Sequence, residues 1–81
     1  MSHILVVEDE AIIRNAVRRL LQRHNHEVTD VGSIDAAREQ DLSSFDMIIT
    51  DLRLPGGVGT DLIELAGSTP VLIMTSYASL R

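Results

Sequence analysis

The sequence predicts an α/β fold built on a doubly wound parallel sheet. Two observations carry this. Short apolar runs of strand length alternate with segments of helical periodicity, in the order strand, helix, strand, helix, strand, helix, strand, which argues for right-handed crossovers and a parallel sheet. The runs are also continuously apolar, as in Ile4-Leu5-Val6-Val7, Met47-Ile48-Ile49 and Val71-Leu72-Ile73-Met74. Strands covered by helices on both faces have this character.

Each element has a local reason. Ile4 to Val7 forms the first strand and runs into Glu8-Asp9-Glu10. Ile13, Ala16, Val17, Leu20 and Leu21 then recur at three- and four-residue spacing, with Arg14, Arg18, Arg19 and Arg23 on the other side. An acidic start and a basic end suit the helix dipole. His24-Asn25-His26 closes this helix, and Glu27 to Val31 alternates as a half-exposed second strand. Ser33 is the expected N-cap of a short helix turning Ile34, Ala37 and Leu42 inward. Ser43-Ser44 makes a turn, and Phe45 to Asp51 is the third strand. It ends on Asp51 and the Pro55-Gly56-Gly57 turn. A third helix runs from Thr60 or Asp61 through Leu62, Ile63, Leu65 and Ala66, with Gly67 as its C-terminal cap. Pro70 introduces the fourth strand, Val71 to Thr75. A parallel sheet that stops at a strand leaves an open edge, so the chain reads as one domain, residues 1–81, truncated at its C-terminus.

Bulk properties narrow the function. The 81 residues suffice for one modest core. Cysteine is absent, which excludes a disulfide scaffold, a thiolate zinc site and a cysteine nucleophile. The net charge is −5, lysine is absent and no strongly basic cluster stands out among the seven arginines. That argues against direct nucleic-acid binding by this segment. No apolar run reaches membrane-spanning length and no signal peptide is visible, so a cytoplasmic domain is expected.

The chemistry gathers at the strand ends. Ligands of open α/β sheets bind beyond the carboxyl ends of the strands, near the point where strand order reverses. Glu8 and Asp9 follow the first strand, Asp51 ends the third and Thr75 ends the fourth. If the strands are neighbours, three carboxylates converge, and hard oxygen ligands of this kind favour Mg²⁺. A metal, a carboxylate and a hydroxyl together suit phosphoryl transfer, and a carboxylate can itself become an aspartyl phosphate. Read singly, Asp51 is a strand-end cap, Glu8 and Asp9 are dipole partners of the first helix, and Thr75 is an ordinary strand threonine. His3, His24 and His26 read as surface residues and the helix arginines as a solvated face. Met47 and Met74 read as core fillers.

Leu5-Val6-Val7-Glu8-Asp9-Glu10, Asp51-Leu52-Arg53-Leu54-Pro55-Gly56 and Met74-Thr75, in this order and at this spacing, resemble the receiver domain of two-component response regulators. The resemblance runs the length of the chain and covers about two-thirds of a receiver. It implies a flavodoxin-like sheet of strand order 2-1-3-4, lacking the fifth strand and last helices. It implies that Asp51 takes a phosphoryl group from a histidine kinase or phosphotransfer domain, and that Asp9, Asp51, the backbone carbonyl of Arg53 and Glu8 hold Mg²⁺. Thr75 would bond a phosphoryl oxygen and switch an output. Such a domain is a phosphoacceptor rather than an enzyme, although it can catalyse its own phosphorylation and dephosphorylation. The first-helix arginines would face the kinase's helical domain.

Two departures from the family pattern stand out. The lysine and aromatic residue of the family's fifth strand have no counterpart here, and Val58 precedes the loop glycine Gly59 where a polar residue is common. The alternatives are a truncated receiver that folds or self-associates through its open sheet edge without being phosphorylated, and a metal-dependent phosphatase-like enzyme. Haloacid-dehalogenase and topoisomerase-primase sites need Asp-x-Asp pairs, whereas this chain has Glu8-Asp9-Glu10 and Asp51-Leu52-Arg53. A mononucleotide-binding half domain lacks its Gly-rich first turn here.

Overall fold

The computed structural model describes residues 2–54 and 57–74. Four parallel strands form the main sheet: β1 (His3–Val7), β2 (Glu27–Val31), β3 (Met47–Asp51) and β6 (Val71–Met74). They lie in the order β2-β1-β3-β6, so β6 is the fourth strand of the expected 2-1-3-4 order. Registers are continuous, with Val7 beside both Val31 and Thr50, and Asp51 beside Met74. Two further strands, β4 (Arg53–Leu54) and β5 (Gly57–Val58), pair antiparallel in the loop after β3. Their period-2 pattern is too short to be read from sequence.

The pleat sends alternate β1 and β3 side chains to opposite faces. On one face Leu5, Val7 and Ile48 pack with Ile34 and Ala37 of α2 (Ile34–Arg38), Leu42, Phe45, Leu54, and Leu62 and Ala66 of α3 (Asp61–Ala66). On the other, Ile4, Val6 and Ile49 pack with Val17 and Leu21 of α1 (Ala11–Arg23). Helices therefore cover both faces, as continuously apolar strands require.

Local signals set the helix ends. Ser33 caps α2, its Oγ accepting the Ala36 N–H at 3.1 Å. Gly67 ends α3 at φ +62°, a left-handed conformation that favours glycine. The acids do not sit within the first turn of α1; Glu10 is its N-cap and Glu8 and Asp9 precede it.

Several inward assignments are corrected. Ala16 and Leu20 of α1 are exposed, because α1 crosses its face alone among the described elements and only the centre of its apolar stripe meets the sheet. In α3 the buried pair is Leu62 and Ala66, one turn apart, while Ile63 and Leu65 face outward. Strand β3 begins at Met47 because the Phe45 N–H closes a 3-10 turn (Leu42–Ser44) onto the Leu42 carbonyl at 3.3 Å. Leu42 is buried from this turn rather than from α2.

Candidate functional site

The site lies beyond the carboxyl ends of the two central strands. The Val7–Thr50 pairing brings Glu8 and Asp9, just past β1, level with Asp51 at the end of β3. One carboxylate oxygen of each of Glu8, Asp9 and Asp51 lies within 4.8 Å of the others. Sequence reasoning named these three, and the topology brings them together.

Their environments differ. Glu8 is 1% exposed. Its Oε2 accepts the Glu10 N–H at 2.9 Å, while Oε1 is buried with no partner among the described residues. Burial is the main force lifting its pKa from 4.5 to about 7, with smaller contributions from Asp9 and Asp51. Asp9 is exposed and Asp51 half-buried. Asp51 Oδ1 accepts the Leu52 N–H at 2.8 Å, which orients the carboxylate.

The loop after β3 is folded tightly against Asp51. Gly59 is buried, and its N–H donates to the Leu52 carbonyl at 2.6 Å. A Cβ at Gly59 would collide with the Asp51 carbonyl oxygen and lie 3.0 Å from Thr50 Cγ2. Thr50, fully buried, donates its hydroxyl to the same Asp51 carbonyl at 3.0 Å. Arg53 stands two residues past Asp51 in β4, with its side chain exposed. Thr75 lies outside the described residues.

Arg14 also reaches the acidic site, a link that sequence reasoning missed. Its guanidinium reaches from α1 to Asp30 on β2, Nε to Oδ2 3.1 Å, and donates through Nη1 to the Glu8 carbonyl at 2.9 Å. Arg18 joins Asp30 at 3.4 Å. Arg14 and Arg18 are thus not part of a freely solvated face, and only tertiary register could reveal this. The histidines are corrected too: His24 is exposed, but His3 and His26 are partly buried. His3 Nε2 lies 2.9 Å from Thr29 Oγ1 and its ring 4.5 Å from that of Phe45.

The donor set fits a hard divalent cation. Three carboxylates converge, and one buried oxygen lacks a partner.

Sheet order, helical layers and strand-end acids define a flavodoxin-like α/β domain with an acidic site at its topological switch point. The chain belongs to the response regulator receiver domain family, whose model matches residues 4–81. It is 35% identical over 79 residues to the transcriptional regulatory protein ResD of Bacillus subtilis (strain 168), covering 93% of this chain and 33% of ResD. The chain thus spans about a third of that relative's length. Among solved structures, it resembles the non-phosphorylated HemR receiver domain from Leptospira biflexa (TM-score 0.80, 29% identity, 90% of this chain and 63% of that one). It also resembles a chain from the complex of histidine kinase ThkA with response regulator protein TrrA (TM-score 0.78, 26% identity, 95% and 71%). No described helix is long and apolar enough to cross a membrane.

Proposed function

We propose that this chain is a cytoplasmic phosphoacceptor domain that takes a phosphoryl group onto Asp51 from a histidine kinase or a phosphotransfer domain. The observation that carries the reading is the convergence of Glu8, Asp9 and Asp51 within 4.8 Å at neighbouring strand ends. The three carboxylates and the backbone carbonyl of Arg53 would hold Mg²⁺, with Glu8 acting through water. When bound, the ion supplies the charge neutralisation that phosphoryl transfer needs.

The residues divide the remaining work. The Leu52 N–H holds Asp51 Oδ1 and so orients the carboxylate that attacks the phosphorus. A carboxylate lone pair forms the new O–P bond as the P–N bond of the phosphohistidine breaks. The imidazole leaves with the electron pair and takes a proton from solvent. Gly59 and the Thr50 hydroxyl both pack against the Asp51 carbonyl and hold that backbone in place during the transfer. Thr75 would contact a phosphoryl oxygen and switch the output, as the family resemblance implies. The chain would promote its own phosphorylation and dephosphorylation.

The ThkA–TrrA complex supports a kinase as partner, and the name of ResD supports transcription regulation as the output. With a net charge of −5, the segment itself does not bind nucleic acid. Self-association runs through the β6 edge, which pairs only with β3 among the described strands. Incubation with Mg²⁺ and acetyl phosphate, followed by intact mass, tests the reading. One added phosphoryl group that is absent from Asp51→Asn is expected. No addition, or addition that persists in Asp51→Asn, overturns it.

A further inference from the structure

The backbone N–H and carbonyl of Glu8 are both held from neighbouring elements. Its N–H donates to the Val31 carbonyl of β2 at 3.1 Å, and its carbonyl accepts Arg14 Nη1 at 2.9 Å. The second contact is a charge-assisted bond, stronger than an ordinary backbone bond. The Arg14 fork is anchored in turn, because Nε is bound to Asp30, which stands beside Val6 in the β1–β2 register. The Arg14 and Asp30 side chains are 23% and 22% exposed, so the pair is partly shielded from solvent. Gly32 leaves the space: a Cβ there would lie 3.1 Å from Arg14 Nη1. The carbonyl so held belongs to the peptide linking Glu8 to Asp9. Its plane sets the direction in which Asp9, an exposed side chain, leaves the backbone toward the other two carboxylates.

We propose that Arg14, locked by Asp30, is a positioning residue that aims the Glu8–Asp9 carboxylates at a bound divalent cation. The inference rests on the cation-binding reading of Glu8, Asp9 and Asp51. It makes a prediction opposite in sign to simple electrostatics. Removing a positive charge near a cation site strengthens cation binding through Coulomb's law. Removing a positioning residue weakens it.

The test is Mn²⁺ affinity of the 81-residue chain, read by electron paramagnetic resonance of free Mn²⁺, with Tm measured alongside. Arg14→Ala is expected to weaken Mn²⁺ binding by about tenfold, the low end of what loss of outer-shell support costs. Arg14→Lys keeps the charge but cannot span Asp30 and the Glu8 carbonyl together, so it falls between parent and Arg14→Ala. Arg19→Ala, which removes an exposed charge from the same helix, leaves affinity unchanged or slightly higher. Arg14→Ala binding as tightly as the parent, or tighter, overturns the proposal and leaves the cation site standing. Where Arg14→Ala does not fold, Arg14→Lys decides: weaker binding supports positioning and parental affinity overturns it. A parent that binds no Mn²⁺ overturns the proposal together with the reading beneath it.

Discussion

Glu8 is a carboxylic acid kept out of water with one oxygen unpartnered. The folded chain holds its proton up to about pH 7, whereas an unfolded chain releases it near 4.5. The folded state therefore binds more protons across that window. The stability this confers is complete below about pH 4.5, falls as pH rises through 7 and is gone above it. Glu8→Gln removes the buried charge without changing shape. In the presence of a chelator, its Tm is expected to exceed the parent's at pH 8, by roughly 4–8 °C for each kcal/mol relieved, and to match it near pH 4. An equal difference at both pH values would show that burial of this charge is not the cause. Glu8 and Asp9 were legible as strand-end acids because they directly follow an apolar run. The role of Arg14 was not, since its partners are 6 and 16 residues away and depend on how α1 lies across β2.

The loop after β3 has the strictest steric demand of any element at the site. The β4–β5 ribbon turns the chain back so that Gly59 touches the Asp51 backbone. Gly59→Ala puts a methyl group into the Asp51 carbonyl, and overpacking of this kind costs about 1–3 kcal/mol. A lowered urea midpoint and loss of acetyl-phosphate labelling are expected together, because the displaced group is the acceptor's own backbone. Gly67→Ala is the comparison. There a Cβ meets nothing within 4 Å, so only the strain of φ +62° remains. Its midpoint also drops, by a cost of about 1–3 kcal/mol from backbone strain, but its labelling stays intact. Equal effects on labelling would show that the Gly59 contact does not position Asp51. The helices were legible by period and by the caps at Ser33 and Gly67. The ribbon was not, because two-residue strands carry no periodic signal.

At the scale of the whole molecule, the described elements cover the two faces of the sheet unequally. Among the described residues, the face under α2 and α3 holds ten buried apolar residues and that under α1 three. Leu72, beside Ile49 in register, is 54% exposed, and Leu20 of α1 is 53% exposed. Exposed apolar residues next to a sheet edge favour association. Light scattering of the 81-residue chain is expected to show a mass that rises with concentration, and Leu72→Gln is expected to reduce that rise while leaving Tm within a few degrees. A clean monomer at high concentration contradicts the association.

The sequence by itself determined the α/β class, the alternation of elements and the identity of the three acids. Each depends on local composition: runs of β-branched residues, three- and four-residue spacing, and polar groups at the ends of apolar runs. The family resemblance implied the strand order, and the tertiary structure decided how closely the carboxylates from positions 8, 9 and 51 approach, within 4.8 Å. It also decided the raised pKa of Glu8 and the grip of Arg14 on the Glu8 carbonyl. Burial and long-range charge pairing depend on distances between elements far apart in the chain, and no local pattern encodes those distances.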